Sequence, residues 1–462
     1  MSAPDGGSAG AGTPGALDPH LWPSSAEVDA AGVLHLGGVG ADRLVAEHGS
    51  PLYVLDEGDF RARARRFVQA FTDAFAAVGT EVDVYYAGKA LLTVAVARWA
   101  HEEGLRIDTA TGGELAVALR AGIPGPHIGL HGNNKSDDEL TAALAAGVGR
   151  VVLDSADEVP RVAAAAAATG SRAPVMVRVT TGVHAGGHEY ISTAHEDQKF
   201  GLSVAGGQAM EVLEAVAAHP DLDLVGIHSH IGSQILDPSG FEVAADKILR
   251  LRAELAGRTG DLVPEVDLGG GYGIAYLPGE RPVDPAEIAG RVAEVVGRTC
   301  ADLGTPLPRI SIEPGRAVVG PAGVTLYTVG TVKQVRTGDA AVPERTYVSV
   351  DGGMSDNLRP ALYGARYHAQ VVSRRTGTEA VPARVVGKHC ESGDVVVRDV
   401  QLPGEVRRGD VLAVPATGAY GRSMASNYNM VPRPPVVAVR AGTSRVLVRR
   451  ETVEDLLGLD QG

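Results

Sequence analysis

Side chains that could do chemistry recur in this sequence directly after short apolar runs rich in β-formers. Gly88-Lys89 follows the first run, Asp108 ends the second, and the segment EPGR at 313–316 follows the last. If these runs are parallel strands of one closed sheet, their carboxyl ends meet at the same edge. The sequence therefore predicts an amine, carboxylates and a guanidinium close together at that edge.

Lys89 is the candidate nucleophile of this group. An amine that follows an apolar strand at the mouth of a barrel is expected to be partly desolvated, and desolvation makes an amine more nucleophilic. A plain surface lysine beyond a strand end is the alternative for this residue taken alone.

A glycine-rich turn and a nearby serine indicate a site for a phosphorylated ligand. Gly269, Gly270 and Gly271 follow the seventh run, and successive glycines expose backbone N–H groups without a Cβ in the way. A plain tight turn is the alternative. Ser233 and His230 follow the neighbouring sixth run, where the imidazole of His230 could stack on a flat aromatic ligand.

Glu313 has a specific use if that ligand is a pyridine. A carboxylate beside the ring nitrogen would keep it protonated and the ring electron-withdrawing, although a simple ion pair with Arg316 is the alternative. An amine, a phosphate cradle, a stacking imidazole and a carboxylate together indicate a pyridoxal-phosphate site. A metal site fits less well, because the histidines lack helical i, i+4 spacing and Cys300 and Cys390 lie far apart without a CxxC.

The elements that must position these residues form a repeating pattern from about residue 80. Each β-rich run is followed by a polar or glycine-rich turn and then an amphipathic helix. Eight such units predict a closed (β/α)₈ barrel, an α/β fold, with a doubly wound open sheet as the alternative. The predicted strands are Val82–Tyr86, Leu105–Asp108, His127–Leu130, Arg150–Leu153, Val175–Val179, Leu224–His228, Glu265–Leu268 and Arg309–Ile312.

The helix boundaries in this region carry capping signals. Three segments fit the S/T-x-x-E capping box: Thr111…Glu114, Ser136…Glu139 and Ser155…Glu158. Four glycines occupy positions expected for left-handed C-terminal caps: Gly104, Gly122, Gly147 and Gly170. Capping signals directly after β-like runs favour alternating strands and helices.

The composition of the chain divides it into four predicted parts. Val- and Thr-rich segments broken by Gly and Pro predict an all-β domain at 319–462. The segment 26–57, with LHLGG and PLYVLDE, resembles those segments and is expected to pack on that domain. The pyridoxal-phosphate-binding barrel is predicted at 58–318. Residues 1–25 are predicted to be a disordered tail, since their first 19 residues include five Gly and three Pro.

Charge and length exclude several classes of function. The 462 residues carry a net charge of −14, which disfavours binding to nucleic acid or to an anionic membrane. The first basic residue is Arg43, whereas secretory and transit signals need positive charge, and no apolar run approaches the roughly 20 residues of a membrane span. The two cysteines are expected to be reduced thiols. We therefore predict a cytoplasmic protein.

Nine motifs in order resemble those of the fold-type III pyridoxal-phosphate decarboxylases, the alanine-racemase-like barrel group. Within that group they are most similar to the branch that acts on diaminopimelate, and the resemblance covers about residues 30–455. The motifs are YYAGKA around Lys89, HGNNKS at 131–136, HEDQKFGL at 195–202, HSHIGSQ at 228–234, DLGGGYG at 267–273, EPGR at 313–316, LRPALYGA at 358–365, HCESGD at 389–394 and GAYGRSMASNYN at 418–429.

The resemblance implies how pyridoxal 5′-phosphate is held. Lys89 would bind the cofactor covalently, His230 would stack on its ring, and Glu313 would bond the pyridinium nitrogen. The other implied cofactor-binding residues are Asp108, Ser233, Gly270, Gly271, Pro314, Gly315, Arg316 and Tyr420.

The resemblance also implies the substrate. Arg316, Arg359 and Tyr363 would bind a distal carboxylate, Glu391 a distal ammonium, and Tyr420 would lie near both phosphate and substrate. Meso-2,6-diaminopimelate carries both distal groups, and its decarboxylation gives L-lysine and CO₂, the last step of lysine biosynthesis. A decarboxylase of another basic amino acid on the same fold, acting on arginine, ornithine or carboxynorspermidine, is the alternative. Arginine and ornithine have no distal carboxylate, so they would leave arginines unpaired.

Cys390 is implied to be the acid that protonates Cα, since a thiol is largely protonated near neutral pH. In this family Cys390 and Glu391 reach the active site of the partner subunit, which implies a homodimer with shared sites. A buried, inert thiol is the alternative for Cys390. A noncatalytic cofactor carrier or a pseudoenzyme is a further alternative, although Lys89, Cys390 and the second domain are all present.

Overall fold

The computed structural model describes residues 17–183 and 199–462, which divide into two units. Among the described residues, the barrel unit comprises those of Arg61–Gly273 and Val283–Val319, and the β unit comprises those of Met1–Phe60, Ile274–Pro282 and Gly320–Gly462. The short segment Ile274–Pro282, predicted as part of the barrel, belongs to the β unit.

The described N-terminal residues are folded, which corrects the predicted disordered tail at 1–25; residues 1–16 lie outside the described part. Leu21 and Trp22 are buried, and the Asp18 carboxylate accepts hydrogen bonds from the Gly279 backbone and from Arg281, each at 3.0 Å. Burial of two large apolar side chains offsets the entropy of ordering this segment. The elements that follow are β1 (Glu27–Val28), β2 (Leu34–Leu36), β3 (Val39–Gly40), α1 (Ala41–His48) and β4 (Leu52–Asp56).

Eight parallel strands close the barrel, so the predicted barrel is confirmed and the open sheet is wrong. The strands follow one another around the sheet, and pairing of the fourth with the fifth closes it. Each predicted strand coincides with an observed one to within two residues at either end. The barrel strands are β5 (Val82–Ala87), β6 (Arg106–Thr109), β7 (Ile128–Leu130), β8 (Arg150–Leu153), β9 (Ala173–Thr180), β11 (Leu222–Ser229), β12 (Glu265–Asp267) and β13 (Arg309–Ile312), with β10 (Leu202–Ser203) pairing at the end of β9.

Helices follow the barrel strands, and most of their predicted caps are present. Helix α2 (Glu57–Val78) precedes the first barrel strand, and the helices that follow the strands are α3 (Val94–Glu102), α4 (Gly112–Arg120), α5 (Asp137–Ala145), α6 (Glu158–Thr169), α7 (Gln208–Ala217), α8 (Ser239–Thr259), α9 (Pro285–Leu303) and α10 (Arg316–Val319). The four predicted cap glycines have positive φ angles. Ser136 and Glu139 form a complete capping box, and Thr111 accepts a hydrogen bond from the Glu114 backbone.

The third predicted capping box is wrong, because its glutamate has a buried partner. Helix α6 begins at Glu158 without a side-chain cap from Ser155. The Glu158 carboxylate instead lies 2.9 Å from the ammonium of Lys135, and both side chains are almost fully buried. Lys135 also donates to the Gly132 and Val152 carbonyls, at 2.5 and 2.8 Å. A buried ammonium needs such a charge partner, and this need outweighs a surface cap.

The barrel interior contains a charged cluster that the apolar strand pattern did not predict. Arg150, 1% exposed, contacts the Asp267 carboxylate at 2.6 Å and donates to Ser311 at 2.8 Å. Its guanidinium lies 3.6 Å from the ring centroid of Tyr85. Its nearest carboxylates lie on other strands, so burial of this arginine is compensated only when the barrel has closed.

The N-terminal segment completes the sheet of the β unit, as the predicted fold class required. Strand β4 lies between the long strand β14 and strand β20. The remaining elements are β14 (Gly323–Asp339), β15 (Val342–Val350), α11 (Arg359–Tyr363), β16 (Gln370–Val371), β17 (Ala380–Val386), β18 (Val395–Pro403), β19 (Val411–Pro415), β20 (Val436–Arg440), β21 (Thr443–Val448) and α12 (Val453–Leu457). Within the described ranges, no helix combines the length and apolar character that crossing a membrane requires.

Candidate active site

A cavity of about 240 Å³ opens at the carboxyl ends of the barrel strands. It is lined by Lys89, Asp108, His131, His230 and Glu313, which come from or directly follow β5, β6, β7, β11 and β13. Four of these five residues were predicted as site residues from positions scattered over more than 200 residues of sequence. Closure of the barrel brings them to one place.

Lys89 lies on a tight turn at the cavity wall. The turn Gly88–Ala90 follows β5, and a Cβ on Gly88 would lie 2.7 Å from the Asp108 carbonyl oxygen, so only glycine allows this close approach to β6. The expected desolvation of Lys89 is not observed, because its side chain is exposed. The amine is therefore directly accessible to a ligand carbonyl in the cavity.

Two buried carboxylates and two histidines form the floor of the cavity. The Nε2 atom of His131 lies 3.2 Å from Asp108 Oδ1 and 3.5 Å from Glu313 Oε1, and His228 Nε2 lies 3.0 Å from Glu313 Oε1. Burial raises the pKa of both carboxyl groups and lowers the pKa of His131 to about 4 and that of His228 well below its usual value. Both imidazoles are therefore uncharged at neutral pH and cannot neutralise Glu313.

The floor of the cavity also contains three possible metal ligands that the sequence pattern did not indicate. The ligand atoms of His131, His228 and Glu313 lie within 4.8 Å of one another, which is the spacing of a metal site. Helical histidine spacing could not indicate this set, because its residues lie on or directly after three different strands. Glu313 Oε1 and the Asp108 carboxylate oxygens make no hydrogen bond within the described residues. The floor is thus suited to a cationic group, and a protonated pyridine nitrogen is such a group.

The predicted phosphate cradle is a region of close backbone approach. A Cβ on Gly271, whose φ is +112°, would lie 2.5 Å from the Gly232 carbonyl oxygen, and a Cβ on Gly270 would overlap the Glu313 backbone. A Cβ on Gly315 would lie 2.9 Å from the Ala87 Cβ and carbonyl oxygen. At these three positions only glycine allows the backbone segments to approach so closely.

Polar contacts connect the cradle with the rest of the barrel mouth. Arg316 donates a hydrogen bond of 2.8 Å to the Ser233 hydroxyl, and the Gly270 backbone N–H lies 3.3 Å from Nδ1 of His230. The Pro314 carbonyl accepts a hydrogen bond from the backbone of β5 at 3.2 Å. The barrel unit therefore contains an amine, an imidazole, a buried carboxylate and a glycine cradle, and this set of groups fits pyridoxal phosphate.

The other predicted site residues lie in the β unit. Arg359 is buried, donates to the Tyr367 hydroxyl at 2.5 Å, and places its guanidinium 4.8 Å from the Tyr276 ring centroid. Two aromatic residues thus hold this arginine in one orientation. Tyr363 at the end of α11 is 65% exposed.

Three further predicted residues of the β unit lie on irregular segments. Cys390 and Glu391 are exposed on the turn between β17 and β18, and the Glu391 carboxylate accepts the Gly393 backbone N–H at 3.1 Å. The exposed thiol does not support the inert, buried alternative for Cys390. Tyr420 is half-buried and has a φ of +58°, a conformation that non-glycine residues seldom adopt.

Some residues around the cavity were missed as site residues. His131 and His228 flank Glu313, and Arg178 on β9 lines the cavity with its guanidinium 4.7 Å from the Phe200 ring centroid. The signal was the position of each at a strand end, and residue type alone gave these three no role there. The motif HEDQKFGL contains Phe200, but its residues 195–198 lie outside the described part of the chain.

The chain matches the family model of the pyridoxal-dependent decarboxylase, pyridoxal binding domain, over residues 57–320. A diaminopimelate decarboxylase of Mycobacterium tuberculosis is 52% identical over 448 residues, covering 96% of this chain and 98% of the relative. The diaminopimelate decarboxylase of Bacillus subtilis is 44% identical, covering 93% of this chain and 95% of the relative.

Solved structures give the same result at the level of the fold. The crystal structure of a diaminopimelate decarboxylase from M. jannaschii in complex with L-lysine superposes with a TM-score of 0.88 at 32% identity, covering 96% of this chain and 99% of that chain. A diaminopimelate decarboxylase from Helicobacter pylori complexed with L-lysine gives a TM-score of 0.79 at 30% identity, covering 90% of this chain and 98% of that chain.

Proposed function

The chain belongs to the diaminopimelate decarboxylases within the pyridoxal-dependent decarboxylases, and from this membership we infer that it decarboxylates meso-2,6-diaminopimelate to L-lysine and CO₂. The observation in the molecule that carries this conclusion is the cavity at the strand ends, where Lys89, His230 and Glu313 meet. An amine, an imidazole and a buried carboxylate are the groups that hold and tune pyridoxal phosphate.

We propose that residues of the barrel unit hold the cofactor. Pyridoxal phosphate supplies an electron-withdrawing ring that accepts the electron pair released when the bond from Cα to the carboxylate breaks. Lys89 would hold the cofactor covalently through its amine. Glu313 would keep the ring nitrogen protonated, and His230 would stack on the ring.

We propose that eight further residues contact the cofactor. Ser233, Gly270, Gly271 and Gly315 bind the phosphate, and Tyr420 lies near it. Asp108, Pro314 and Arg316 complete the contacts around the cofactor. The buried carboxylate of Asp108, which lies beside His131, adds negative charge on the side of the pyridinium.

We propose that charge complementarity selects the substrate. Arg316, Arg359 and Tyr363 bind the distal carboxylate, and Glu391 binds the distal ammonium. The guanidinium of Arg359 supports this role, since Tyr276 and Tyr367 already orient it and its fork can bind a carboxylate in a bidentate manner. Cys390 donates a proton to Cα after CO₂ leaves.

Side-by-side assays test the substrate assignment. Purified protein with pyridoxal phosphate is expected to release CO₂ and L-lysine from meso-diaminopimelate. It is expected to act on L-ornithine and L-arginine with a kcat/KM lower by about 10²-fold or more, because these leave the arginine site without its carboxylate. Equal kcat/KM for ornithine and diaminopimelate would contradict the proposed carboxylate site and favour a decarboxylase of another basic amino acid.

We propose a homodimer in which Cys390 and Glu391 complete the site of the partner subunit. Both residues are exposed on their turn, so they are free to meet a second copy. Large side chains of the same unit are also exposed: Leu362, Tyr363, Tyr428 and Met430. The Tyr428 ring lies 5.2 Å from that of His389, next to Cys390. Exposed apolar groups around a reactive turn support an interface there.

Mixed subunits test the shared site. Lys89→Ala and Cys390→Ala subunits are each expected to be severely impaired, and exchange between them is expected to restore up to about a quarter of wild-type activity per subunit, since half the dimers are mixed and each has one intact site. Activity is measured after exchange, and heterodimers are verified with two different affinity tags. Verified heterodimers without restored activity would mean that Lys89 and Cys390 serve the same subunit.

We propose the cytoplasm as the site of action. Both cysteines are free thiols, Cys300 buried and Cys390 exposed, and the reaction requires Cys390 in its reduced form.

A further inference from the structure

The motif HCESGD at 389–394 combines an exposed tip with a buried base. Cys390, Glu391 and Ser392 are exposed, whereas His389 and Asp394 are 8% and 3% exposed. The proposed function uses Cys390 and Glu391 of this motif and gives no role to its two buried ends. An exposed reactive group on a short turn has a defined direction only if the base of the turn is fixed.

Asp394 holds the base through two backbone N–H groups. Its carboxylate accepts a hydrogen bond from the His389 backbone at 2.8 Å and from the Met354 backbone at 2.6 Å. A Cβ on Gly353 would lie 2.6 Å from this carboxylate, and a Cβ on Gly387 would overlap it. The carboxylate is therefore enclosed by backbone on both sides and joins the Cys390 turn to the segment that contains Met354.

Two further contacts tie the same parts of the chain together. The His389 imidazole lies 2.8 Å from the Ser355 hydroxyl and 3.2 Å from the Asn429 side-chain oxygen. The Lys388 backbone donates to the Gly352 carbonyl at 2.9 Å. Asp394 and His389 thus connect the turn to residues 352–355.

We propose that Asp394 is a positioning residue for decarboxylation, which fixes the turn so that the Cys390 thiol points in one direction. The inference rests on the proposed role of Cys390 as the proton donor. Proton transfer requires a donor within hydrogen-bond reach of the accepting atom, and a displacement of about 1 Å can lower a rate by about 10²-fold. Asp394 itself touches neither substrate nor cofactor in this proposal.

The Asp394→Asn holoenzyme tests the proposal, with Asp399→Asn as a matched control because Asp399 is exposed on the neighbouring strand. The amide can accept only one of the two N–H groups well and turns a donor toward the other. We expect kcat for diaminopimelate to fall by about 10- to 100-fold, since proton transfer depends on the direction of the Cys390 thiol, and KM to rise by a smaller factor, since the same turn carries Glu391. Asp399→Asn is expected to retain wild-type kcat. An unchanged kcat in folded Asp394→Asn would overturn the proposal.

The Cys390→Ala background separates positioning from a general structural role. If Asp394 acts through Cys390, adding Asp394→Asn to Cys390→Ala is expected to lower the residual kcat by less than about twofold. A loss that multiplies with that of Cys390→Ala would overturn this inference alone and leave the role of Cys390 intact. A fully active Cys390→Ala enzyme would overturn the role of Cys390 and this inference with it.

A milder variant keeps the test decisive if Asp394→Asn does not fold. Ser355→Ala removes only the hydroxyl beside the His389 ring. Folding is checked by circular dichroism and thermal unfolding of the holoenzyme. Ser355→Ala is expected to lower kcat in the same direction by a smaller factor, about two- to tenfold, with no further effect on kcat in Cys390→Ala. Wild-type kcat in folded Ser355→Ala, together with an unfolded Asp394→Asn, would overturn the proposal.

Discussion

Lys89→Ala is expected to abolish turnover and to remove the covalent link to the cofactor. Lys89 lies exposed on the wall of the barrel cavity, where its amine can reach the aldehyde of pyridoxal phosphate. The loss of kcat is expected to be on the order of 10³-fold or more. Borohydride reduction followed by peptide mass analysis should place the adduct of the wild-type protein on Lys89 and find none at that position in the variant.

Two further variants control for charge and for lysine in general. Lys89→Arg keeps the positive charge but not the nucleophilic amine, so it is expected to be as inactive as Lys89→Ala. Lys333→Ala removes an exposed lysine on β14 and is expected to retain full activity and the adduct at Lys89. A reducible adduct and normal turnover in Lys89→Ala would show that another amine carries the cofactor.

Glu313→Gln is expected to retain bound cofactor and to lose kcat by about 10²-fold or more. The Glu313 carboxyl is buried, and its neighbours His131 and His228 are uncharged because burial lowers the pKa of both. Glu313 Oε1 makes no hydrogen bond within the described residues, so it is placed to meet a pyridinium, and an amide cannot hold the ring nitrogen in its protonated form. Steady-state kcat and the cofactor content per subunit are measured on the same preparation.

The control for Glu313 is an exposed glutamate on the outer helix α9. Glu294 is 77% exposed, and Glu294→Gln is expected to leave both kcat and cofactor content unchanged. Unchanged turnover of Glu313→Gln with full cofactor occupancy would remove Glu313 from the mechanism. Loss of cofactor without a change in kcat per bound cofactor would assign Glu313 to binding alone.

The order of strands and helices could be read from the sequence because their signals are local. β-rich runs, glycines at helix ends and the Ser136 capping box depend on neighbouring residues, and the corresponding elements are present. The Ser155 box had the same local signal and is absent, because Glu158 pairs with the buried ammonium of Lys135. The contact between Lys135 and Glu158 joins residues 23 positions apart, so no pattern of neighbouring residues in the sequence indicates it.

The sequence by itself determined the fold class, the chemistry of the candidate site and the identity of Lys89, His230 and Glu313 as its candidates. Residue type and position after a strand were sufficient, since parallel barrels place these positions at one edge. Only the tertiary structure decided the surroundings of each group. In the folded chain Lys89 is exposed, His131 and His228 lie beside Glu313, and Arg150 is buried against Asp267. Burial and charge compensation depend on atoms that are far apart in the sequence and meet only when the barrel closes.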